Sequence, residues 1–574
     1  MAMADPPPPA PVDFDRTPES YRHWRLVIEP PLARLELDVD EDAALFPGQR
    51  LKLNSYDLGV DVELHDAVQR IRFTHPEVRA VVITSAKPGV FCAGAHIGTL
   101  AAAPHEWKTN FCRFTNETRN AIEEAAADSG LRFLAAVNGS CAGGGYELAL
   151  ACEEILLVDD GSSAVALPEV PLLGVLPGTG GLTRLTDKRG VRRDLADVLA
   201  TRPDGVRGRT AVDWRLVDAA VPRRDFERVV GERARALAEA ADSGARPTAG
   251  IELPPLDRKT ADDRIEYRYV RAGLDRGRRL VELTLLGPPT AGAGATEAAE
   301  AAQGAQGAES TEAGDPYWLL TLARELDDAI LRLRFNEPEL GTWVIRTEGD
   351  PDAVLAHESR LLAAAAAGDR VARETLHLYK RTLKRLDVTG RSLIALIEPG
   401  SCCAGLLLEP ALACDRQYLL DTSDDPGAGP PARITLSAAD FGQLPMGNGL
   451  TRLRSRFLGD PAHVEALRSE YLGRPLGPAE ARALGLVTDA PDDLDWADEI
   501  RLVLEARAAL SPDALTAMEA NLRFAGPETT ETKIFGRLTA WQNWIFTRPN
   551  ASGPDGALRS YGSGHRPGYR RKRT

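Results

Sequence analysis

The stretch from Leu134 to Cys152 constrains the fold more than any other part of the chain. An apolar, strand-like run ends at Asn138-Gly139, three glycines follow at 143–145, and an Ala/Leu-rich stretch with helical spacing comes next. A strand-to-helix junction without side chains lets a ligand atom approach the backbone, and the first helical turn offers free N–H groups and a positive dipole end. Glu147 falls in that turn, so a carboxylate lies beside an anion site. The alternative is a Gly-rich turn that serves only close packing of the helix against the strand.

Strands and helices alternate along the first half of the chain. Trp24–Ile28 and Ala33–Val39 alternate apolar and polar residues, as the strands of a hairpin do. A helix with Val60, Leu64, Ala67, Val68 and Ile71 on one face follows, and then the buried strand Ala80–Thr84 and a helix over about 107–127. This order predicts an α/β fold of right-handed βαβ units, with ligands at the carboxyl ends of the strands.

The second half of the chain repeats the first. The segment ending at Leu412-Ala413-Cys414 repeats the opening stretch 262 positions later, and Leu444–Leu453 repeats Pro177–Leu185. Trp343–Thr347 likewise repeats the strand around Val81. These matches predict a tandem duplication.

The repeats also set the expected domain boundaries. We predict a flexible N-terminal tail (1–20), a catalytic module (21–255), a degenerate module (256–520) and a C-terminal extension with a basic tail (521–574). The Gly/Ala/Glu/Gln-rich piece 287–315 looks like a linker, yet Arg279–Leu285 matches an early strand of the first module. The low-complexity piece is therefore expected to be an insertion within the second module.

Composition excludes several classes of protein. The net charge of −15 argues against a general binder of nucleic acid or anionic membranes. No apolar run approaches the ~20 residues that span a bilayer, and Met1–Val12 is Ala/Pro-rich without a signal-peptide core. The seven cysteines (92, 112, 141, 152, 402, 403 and 414) lack metal-type spacing and are interpreted as core thiols of a reducing cytoplasm. Neither a metal site nor a nucleotide-cofactor loop is expected.

Three motifs occur in a fixed order: Phe91–Ala95, the glycine stretch ending at Glu147, and Pro168-Glu169 before Pro177–Gly181. Together they resemble the enoyl-CoA hydratase (crotonase) superfamily, closely over the first ~230 residues and loosely over the second half. The resemblance implies tandem ββα-spiral modules with helical C-terminal regions. It also implies an acyl-CoA substrate whose thioester oxygen is held by two backbone N–H groups, which by motif match are those of Ala95 and Gly144.

The same resemblance assigns the other site residues. The acyl-CoA is expected to lie against Ala93, Gly94, Ala95, Gly143 and Gly144. Glu147 and Glu169 are expected to be catalytic, as a carboxylate pair suited to activating water and moving protons beside the acyl α-carbon. One fixed donor to the developing oxyanion is typically worth ~3–4 kcal/mol. Which glutamate is acid and which is base stays open, and His96 is expected to lie near the adenine pocket and take no part in the chemistry.

An intact module followed by a degenerate one and a basic C-terminus is similar to a group of ring-cleaving lyases within this superfamily. That resemblance extends through Val12–Phe14 and Ala540–Trp544. It implies a carbon–carbon lyase that converts 2,3-epoxybenzoyl-CoA, or its dihydrodiol, with water to 3,4-dehydroadipyl-CoA semialdehyde and formate. No cofactor is expected beyond the CoA of the substrate, and a cytoplasmic homodimer is expected. The alternatives are an enoyl-CoA hydratase or isomerase acting on a fatty acyl-CoA, and a non-catalytic acyl-CoA-binding scaffold.

The second module has lost the features that the chemistry needs. Leu406 and Leu407 replace Gly144 and Gly145, and either Ser437 or Ala438 replaces Glu169. Glu409 stands where Glu147 would be and is interpreted as a carboxylate that faces a helix dipole. The basic segment Arg559–Thr574 is expected to be a disordered, solvated tail, the alternative being a segment that reaches CoA phosphates or a neighbouring subunit.

Overall fold

The computed structural model describes residues 10–241, 250–289, 315–425, 427 and 429–574. The chain divides into two compact units. The first unit contains residues up to Pro255 together with Gly368–Glu374, and the second contains Leu256–Ala367 and Thr375 to the C-terminus. Most of the predicted insertion, residues 290–314, lies outside the described residues. Among the described residues, none of the helices combines the length and the apolar character that crossing a membrane requires.

The first unit is built on a six-stranded sheet. The order of its strands is Trp24–Glu29, Leu32–Leu37, Ala80–Ser85, Arg132–Val137, Glu154–Asp159 and Ala219–Pro222. The first two strands form the predicted antiparallel hairpin, and the other neighbours run parallel. One face of the sheet packs against the helix Phe226–Ala240, where Val82, Leu134 and Leu156 meet Phe226 and Val230.

A second, three-stranded parallel sheet consists of Gly89–Cys92, Gly139–Ala142 and Val165–Ala166. Each of these strands directly follows a strand of the larger sheet, so each turn of the chain contributes one strand to each sheet. This arrangement confirms the predicted spiral. The helices of the unit are Leu58–Phe73, Ile97–Ala102, His105–Asp128, Gly144–Ala151, Glu169–Leu173, Gly181–Thr183, Arg184–Lys188, Arg193–Thr201, Gly208–Asp213 and Phe226–Ala240.

The N-terminal tail needs a correction. Of residues 1–20 the structure describes 10–20, and Val12 and Phe14 are buried there. The ring of Phe14 meets that of Phe114 edge-on at 5.5 Å. A Pro-rich composition predicted a mobile segment, but two apolar side chains are enough to bind these residues to the unit.

The second unit has a seven-stranded sheet. Its strands run in the order Lys259–Ala261, Arg264–Glu266, Val270–Asp275, Leu280–Leu286, Thr342–Glu348, Ser392–Ile397 and Arg416–Leu419. The first four are antiparallel and the rest are parallel. Where the chain is described, its other helices and helical turns are Pro18–Ser20, Lys52–Asn54, Arg223–Asp225, Trp318–Asn336, Pro351–Ala366, Arg370–Asp387, Gly405–Leu407, Glu409–Leu412, Ala438–Phe441, Arg452–Arg456, Pro461–Glu470, Pro478–Ala483, Trp496–Ala509, Pro512–Arg523, Thr530–Lys533, Ile534–Leu538, Thr539–Phe546, Pro549–Ser552 and Ala557–Ser560.

An equivalent hydrogen-bonded contact occurs within each unit, and this supports the duplication. Glu63 accepts hydrogen bonds from the backbone N–H groups of residues 22–24, where the first strand begins. Glu325, 262 positions later, accepts from those of Arg268 and Tyr269, where the strand Val270–Asp275 begins. Each carboxylate ties its helix to the start of the antiparallel hairpin.

The smaller sheet of the first unit has no full counterpart in the second. Among the described residues of the second unit, only Ile434–Thr435 and Pro475–Leu476 pair outside the large sheet as strands. After Thr342–Glu348 the chain enters the helix Pro351–Ala366 directly. Residues 351–357, which match 89–95 at the offset of 262, therefore form the start of a helix where the first unit has a strand and a loop.

The basic C-terminus also needs a correction. Arg573 and Thr574 are buried. The Arg573 guanidinium forms an ion pair with Glu519 at 2.5 Å and donates from Nε to the carbonyl oxygen of Gly390 at 3.0 Å. The charge pattern predicted a solvated tail, but a buried carboxylate holds its last arginine.

Candidate active site

Two turns of the first unit meet at the predicted site. A Cβ atom added at Gly94 would lie 2.9 Å from the carbonyl oxygen of Ala142 and 3.0 Å from the amide nitrogen of Gly144. Contacts that close exclude any side chain, so Gly94 is required for the approach of the two backbones. Gly143 has φ +54°, a conformation that favours glycine, and it starts the helix Gly144–Ala151.

The two predicted oxyanion donors flank this contact. Tyr56 pairs with the chain on either side of Ala95: its N–H donates to the Gly94 carbonyl at 3.0 Å, and its carbonyl accepts from His96 N–H at 2.8 Å. Among the described residues, the N–H groups of Ala95 and Gly144 have no acceptor. Asn54 fixes the loop before Tyr56 by donating to the carbonyls of Leu37 and Phe91. The structure thus brings together two free backbone donors, one of them at a helix N-terminus.

Glu147 is buried and rigidly held. Its Oε1 accepts from the N–H of Thr179 at 2.9 Å and from the N–H of Gly181 at 2.8 Å, and its Oε2 accepts from the Thr179 hydroxyl. All three donors belong to the Pro177–Gly181 motif, whose glycine at 181 leaves room for the carboxylate. Both oxygens of Glu147 are occupied.

Glu169 lies near the glycine turn and differs from Glu147 in its contacts. It begins the short helix Glu169–Leu173 and faces the glycine turn, because a Cβ added at Gly143 would lie 2.8 Å from its Oε1. Its Oε2 is buried and has no hydrogen-bond partner among the described residues. Burial raises the pKa of Glu169 to about 7; its own backbone N–H opposes the rise, and the negative charge of Glu147 adds to it. Such a carboxyl group is poised to gain or lose a proton near neutral pH.

Ala93 and His96, which are predicted from the sequence to lie near the acyl-CoA, each form a hydrogen bond within the protein. Ala93 donates from its N–H to the Leu53 carbonyl at 3.2 Å. His96 accepts from the N–H of Thr99 at 3.1 Å and so caps the helix Ile97–Ala102. Burial lowers the pKa of His96. Its observed contacts are those of a capping residue.

Two residues near the glutamates were not singled out from the sequence. The Tyr56 hydroxyl is buried without a partner among the described residues, and a Cβ added at Gly144 would lie 1.8 Å from it. Cys112, interpreted as a core thiol, is half-buried and lies beside the motif loop, its Sγ 3.5 Å from a Cβ added at Gly178. Burial, reinforced by the charge of Glu147, raises the pKa of this thiol to about 11. The other six cysteines are buried, as predicted.

Comparison with known proteins agrees with this geometry. The model of the enoyl-CoA hydratase/isomerase family matches residues 48–252. A Shewanella loihica fatty acid oxidation complex subunit alpha is 36% identical over 182 residues, which cover 32% of this chain and 24% of that protein. A crystal structure of an enoyl-CoA hydratase from Bacillus anthracis is 27% identical, covers 38% of this chain and 76% of its own, and has a TM-score of 0.32. The family model thus assigns the fold of the first unit to the enoyl-CoA hydratase/isomerase class.

One relative matches nearly the whole chain. The benzoyl-CoA-dihydrodiol lyase of Aromatoleum evansii is 54% identical over 566 residues, which cover 98% of each protein. The chain belongs to the family of that lyase, within the enoyl-CoA hydratase/isomerase class.

The second unit keeps only parts of the site. Glu409 is buried and forms an ion pair with Arg452 at 2.7 Å, so its partner is a side chain in addition to the helix dipole. The backbone register decides which residue replaces Glu169. Ala404 pairs with Thr435 as Ala142 pairs with Ala166, which places Ala438 at the position of Glu169. The position of Glu169 therefore has no carboxylate, and the carboxyl group nearest Glu409 is that of the buried Asp440, two residues after Ala438.

Proposed function

We propose that the protein is a ring-cleaving carbon–carbon lyase that converts 2,3-epoxybenzoyl-CoA, or its dihydrodiol, with water to 3,4-dehydroadipyl-CoA semialdehyde and formate. The single observation that carries the proposal is the site itself. There, two backbone donors without an acceptor among the described residues lie beside one fixed carboxylate and one carboxyl group with a pKa near neutrality. The full-length similarity to a benzoyl-CoA-dihydrodiol lyase supports the substrate class.

In this proposal the backbone donors act on the thioester. The N–H groups of Ala95 and Gly144 hold the thioester oxygen and stabilise the negative charge that moves onto it as the ring bond breaks. The donors are fixed before the substrate arrives, so little reorganisation is needed during the reaction. The dipole of the helix Gly144–Ala151 adds to the stabilisation.

The two glutamates take different roles. Glu169 has a free oxygen and a pKa of about 7, so it removes a proton from an oxygen of the substrate or of water and returns a proton to carbon. Glu147 has both oxygens engaged by the loop at 179–181, so it acts as a fixed negative charge that orients the substrate or water and raises the pKa of Glu169. The sequence left these roles open, and the contacts of the two carboxylates support this assignment.

The proposal extends to cofactors and assembly. Turnover is expected without a metal or redox cofactor, in a cytoplasmic homodimer. Support for dimerisation comes from the exposed apolar side chains of Ile534, Phe535, Leu538 and Phe546 on the C-terminal helices. Dialysis against EDTA, followed by an anaerobic assay, tests the first point, light scattering of the purified protein tests the second, and cell fractionation tests the compartment.

Product analysis tests the function. The protein is incubated with 2,3-epoxybenzoyl-CoA and, separately, with crotonyl-CoA, and the products are identified by mass spectrometry together with a formate assay. Formate release from the first substrate is expected. Rapid hydration of crotonyl-CoA with no formate from the epoxide would favour a hydratase. If neither compound turned over while both bound, the protein would be a non-catalytic acyl-CoA binder.

A further inference from the structure

In the second unit, the side chain of Glu358 lies at the glycine turn. Gly405 has φ +45°, close to the +54° of Gly143, and each glycine is followed by the amide that would face a ligand, Leu406 or Gly144. In the first unit the Gly144 N–H has no acceptor among the described residues. In the second unit the Leu406 N–H donates to Oε2 of Glu358 at 2.9 Å. The same backbone donor is therefore free in one unit and satisfied by a carboxylate in the other.

The carboxylate of Glu358 is buried beside polar groups of two segments, with 4% of its surface exposed. The Leu406 N–H donates to it, and the Ser437 side chain, whose Oγ accepts from the Ala439 N–H at 3.1 Å, lies at the same turn. Burial raises the pKa of Glu358, and the polar groups of Ser437, Leu406 and Ala439 oppose that rise by favouring the charged form.

The position of Glu358 leaves no space for another ligand at this turn. Its Oε2 would lie 2.0 Å from a Cβ added at Gly405. The helix that carries it, Pro351–Ala366, starts where the first unit has the strand Gly89–Cys92 and the loop to Ala95. The second unit thus has no loop like the one that carries Ala95, and its Leu406 N–H has an acceptor from the helix at that place.

We propose that the turn at Gly405-Leu406 is a carboxylate-binding site whose ligand is the chain's own Glu358. The site takes a small planar anion, which accepts from the Leu406 N–H beside the Ser437 hydroxyl. It is the anion-binding half of an acyl-CoA site, and the internal carboxylate replaces the thioester oxygen. The proposal concerns the second unit and does not depend on the reaction proposed for the first.

Rescue by a free carboxylate tests the proposal. In Glu358→Ala the Leu406 N–H loses its acceptor, and the space left by the side chain admits acetate. The thermal midpoint of this variant should be lower than that of the wild type and should rise by about 2 °C or more in concentrated sodium acetate, relative to sodium chloride of equal ionic strength. The wild type and Glu465→Ala, which removes an exposed carboxylate from the helix Pro461–Glu470, should show no such difference between the two salts. An equal acetate effect in all three proteins, or none in Glu358→Ala, would overturn the proposal.

A second variant covers the case in which Glu358→Ala does not fold. Glu358→Gln keeps one oxygen for the Leu406 N–H but turns an NH₂ group toward another donor. Its thermal midpoint should fall by several degrees, whereas Glu465→Gln should match the wild type. A Glu358→Gln protein as stable as the wild type would show that the carboxylate is not the ligand of this turn.

Discussion

The protonation of Glu169 should be visible in the stability of the protein. Its pKa is raised from 4.5 to about 7 in the folded state, mainly by burial. Because the folded state binds this proton more tightly than the unfolded chain does, ionisation of Glu169 costs stability. The cost is absent below about pH 4.5, grows as the pH rises, and is complete above about pH 7.

The size of this loss of unfolding free energy follows from the pKa shift of Glu169. A difference of about 2.5 pH units corresponds to about 3.4 kcal/mol at 1.36 kcal/mol per unit. Glu169 is only partly buried, so solvent screening reduces this to about 1–2 kcal/mol. Glu169→Gln removes the titration, and the wild type should therefore lose about 1–2 kcal/mol relative to the variant between pH 5 and pH 8. For a unit of this size the difference is about 2–8 °C in thermal midpoint.

The assay is thermal unfolding of the wild type and Glu169→Gln in matched buffers from pH 5 to pH 8. Glu147→Gln serves as a comparison, because it removes the neighbouring charge and should shift the wild-type transition to lower pH. The same Glu169 pKa should appear in the free enzyme's kcat/KM profile, which should rise through about pH 7 if Glu169 starts the reaction as a base. Parallel stability curves for the wild type and Glu169→Gln would refute the reasoning.

Three further substitutions test other contacts. Gly144→Ala places a Cβ against the Tyr56 hydroxyl and should lower kcat/KM at least ~10²-fold, in line with loss of an oxyanion donor, measured by steady-state kinetics. Thr179→Val removes one of three donors to Glu147 and should lower kcat about 10-fold with a smaller change in KM, by the same assay. Arg573→Leu removes the ion pair with a buried carboxylate and should cost about 2 kcal/mol of unfolding free energy, measured with denaturant.

Each of these substitutions has a control. Gly161 lies in an open turn with positive φ. Gly161→Ala should therefore lower the free energy of unfolding through backbone strain, without loss of activity. Thr179→Ser keeps the hydroxyl and should retain most of the activity; equal loss in the Val and Ser variants would mean that the hydrogen bond to Glu147 is unimportant. Arg566→Leu removes a basic residue of the same tail that has no ion pair among the described residues. If it destabilised the protein as much as Arg573→Leu did, the buried contact would not be the cause.

Much of the fold could be predicted because local patterns determine it. The hairpin at Trp24–Glu29 and Leu32–Leu37 follows from alternation of apolar and polar residues, and the strand Ala80–Ser85 from a run of β-branched residues. The family motif predicted that Ala95 and Gly144 lie near each other. In the structure Gly94, the neighbour of Ala95, lies against Gly144. In these cases the information lies in neighbouring residues or in a recurring motif.

The parts that could not be predicted depend on contacts between distant residues. Nothing in the sequence around Thr179 indicates that its N–H and hydroxyl hold Glu147, since the two are joined only by the folded chain. The burial of Phe14 and of Arg573 was missed for the same reason, because composition describes a segment and not its partner. Glu358 gave no signal at all, since one glutamate in a helix of ordinary composition is unremarkable until the turn that it meets is known.

The internal carboxylate has a consequence for how such a duplicated chain can change over time. Removing Glu358 alone from the second unit would expose one donor, Leu406, and would leave residues 351–357 helical, without the strand and loop that carry Ala95 in the first unit. Recovery of a second oxyanion donor would need this helix to change into a strand and a loop as well. A single substitution therefore cannot reverse the change in the second unit.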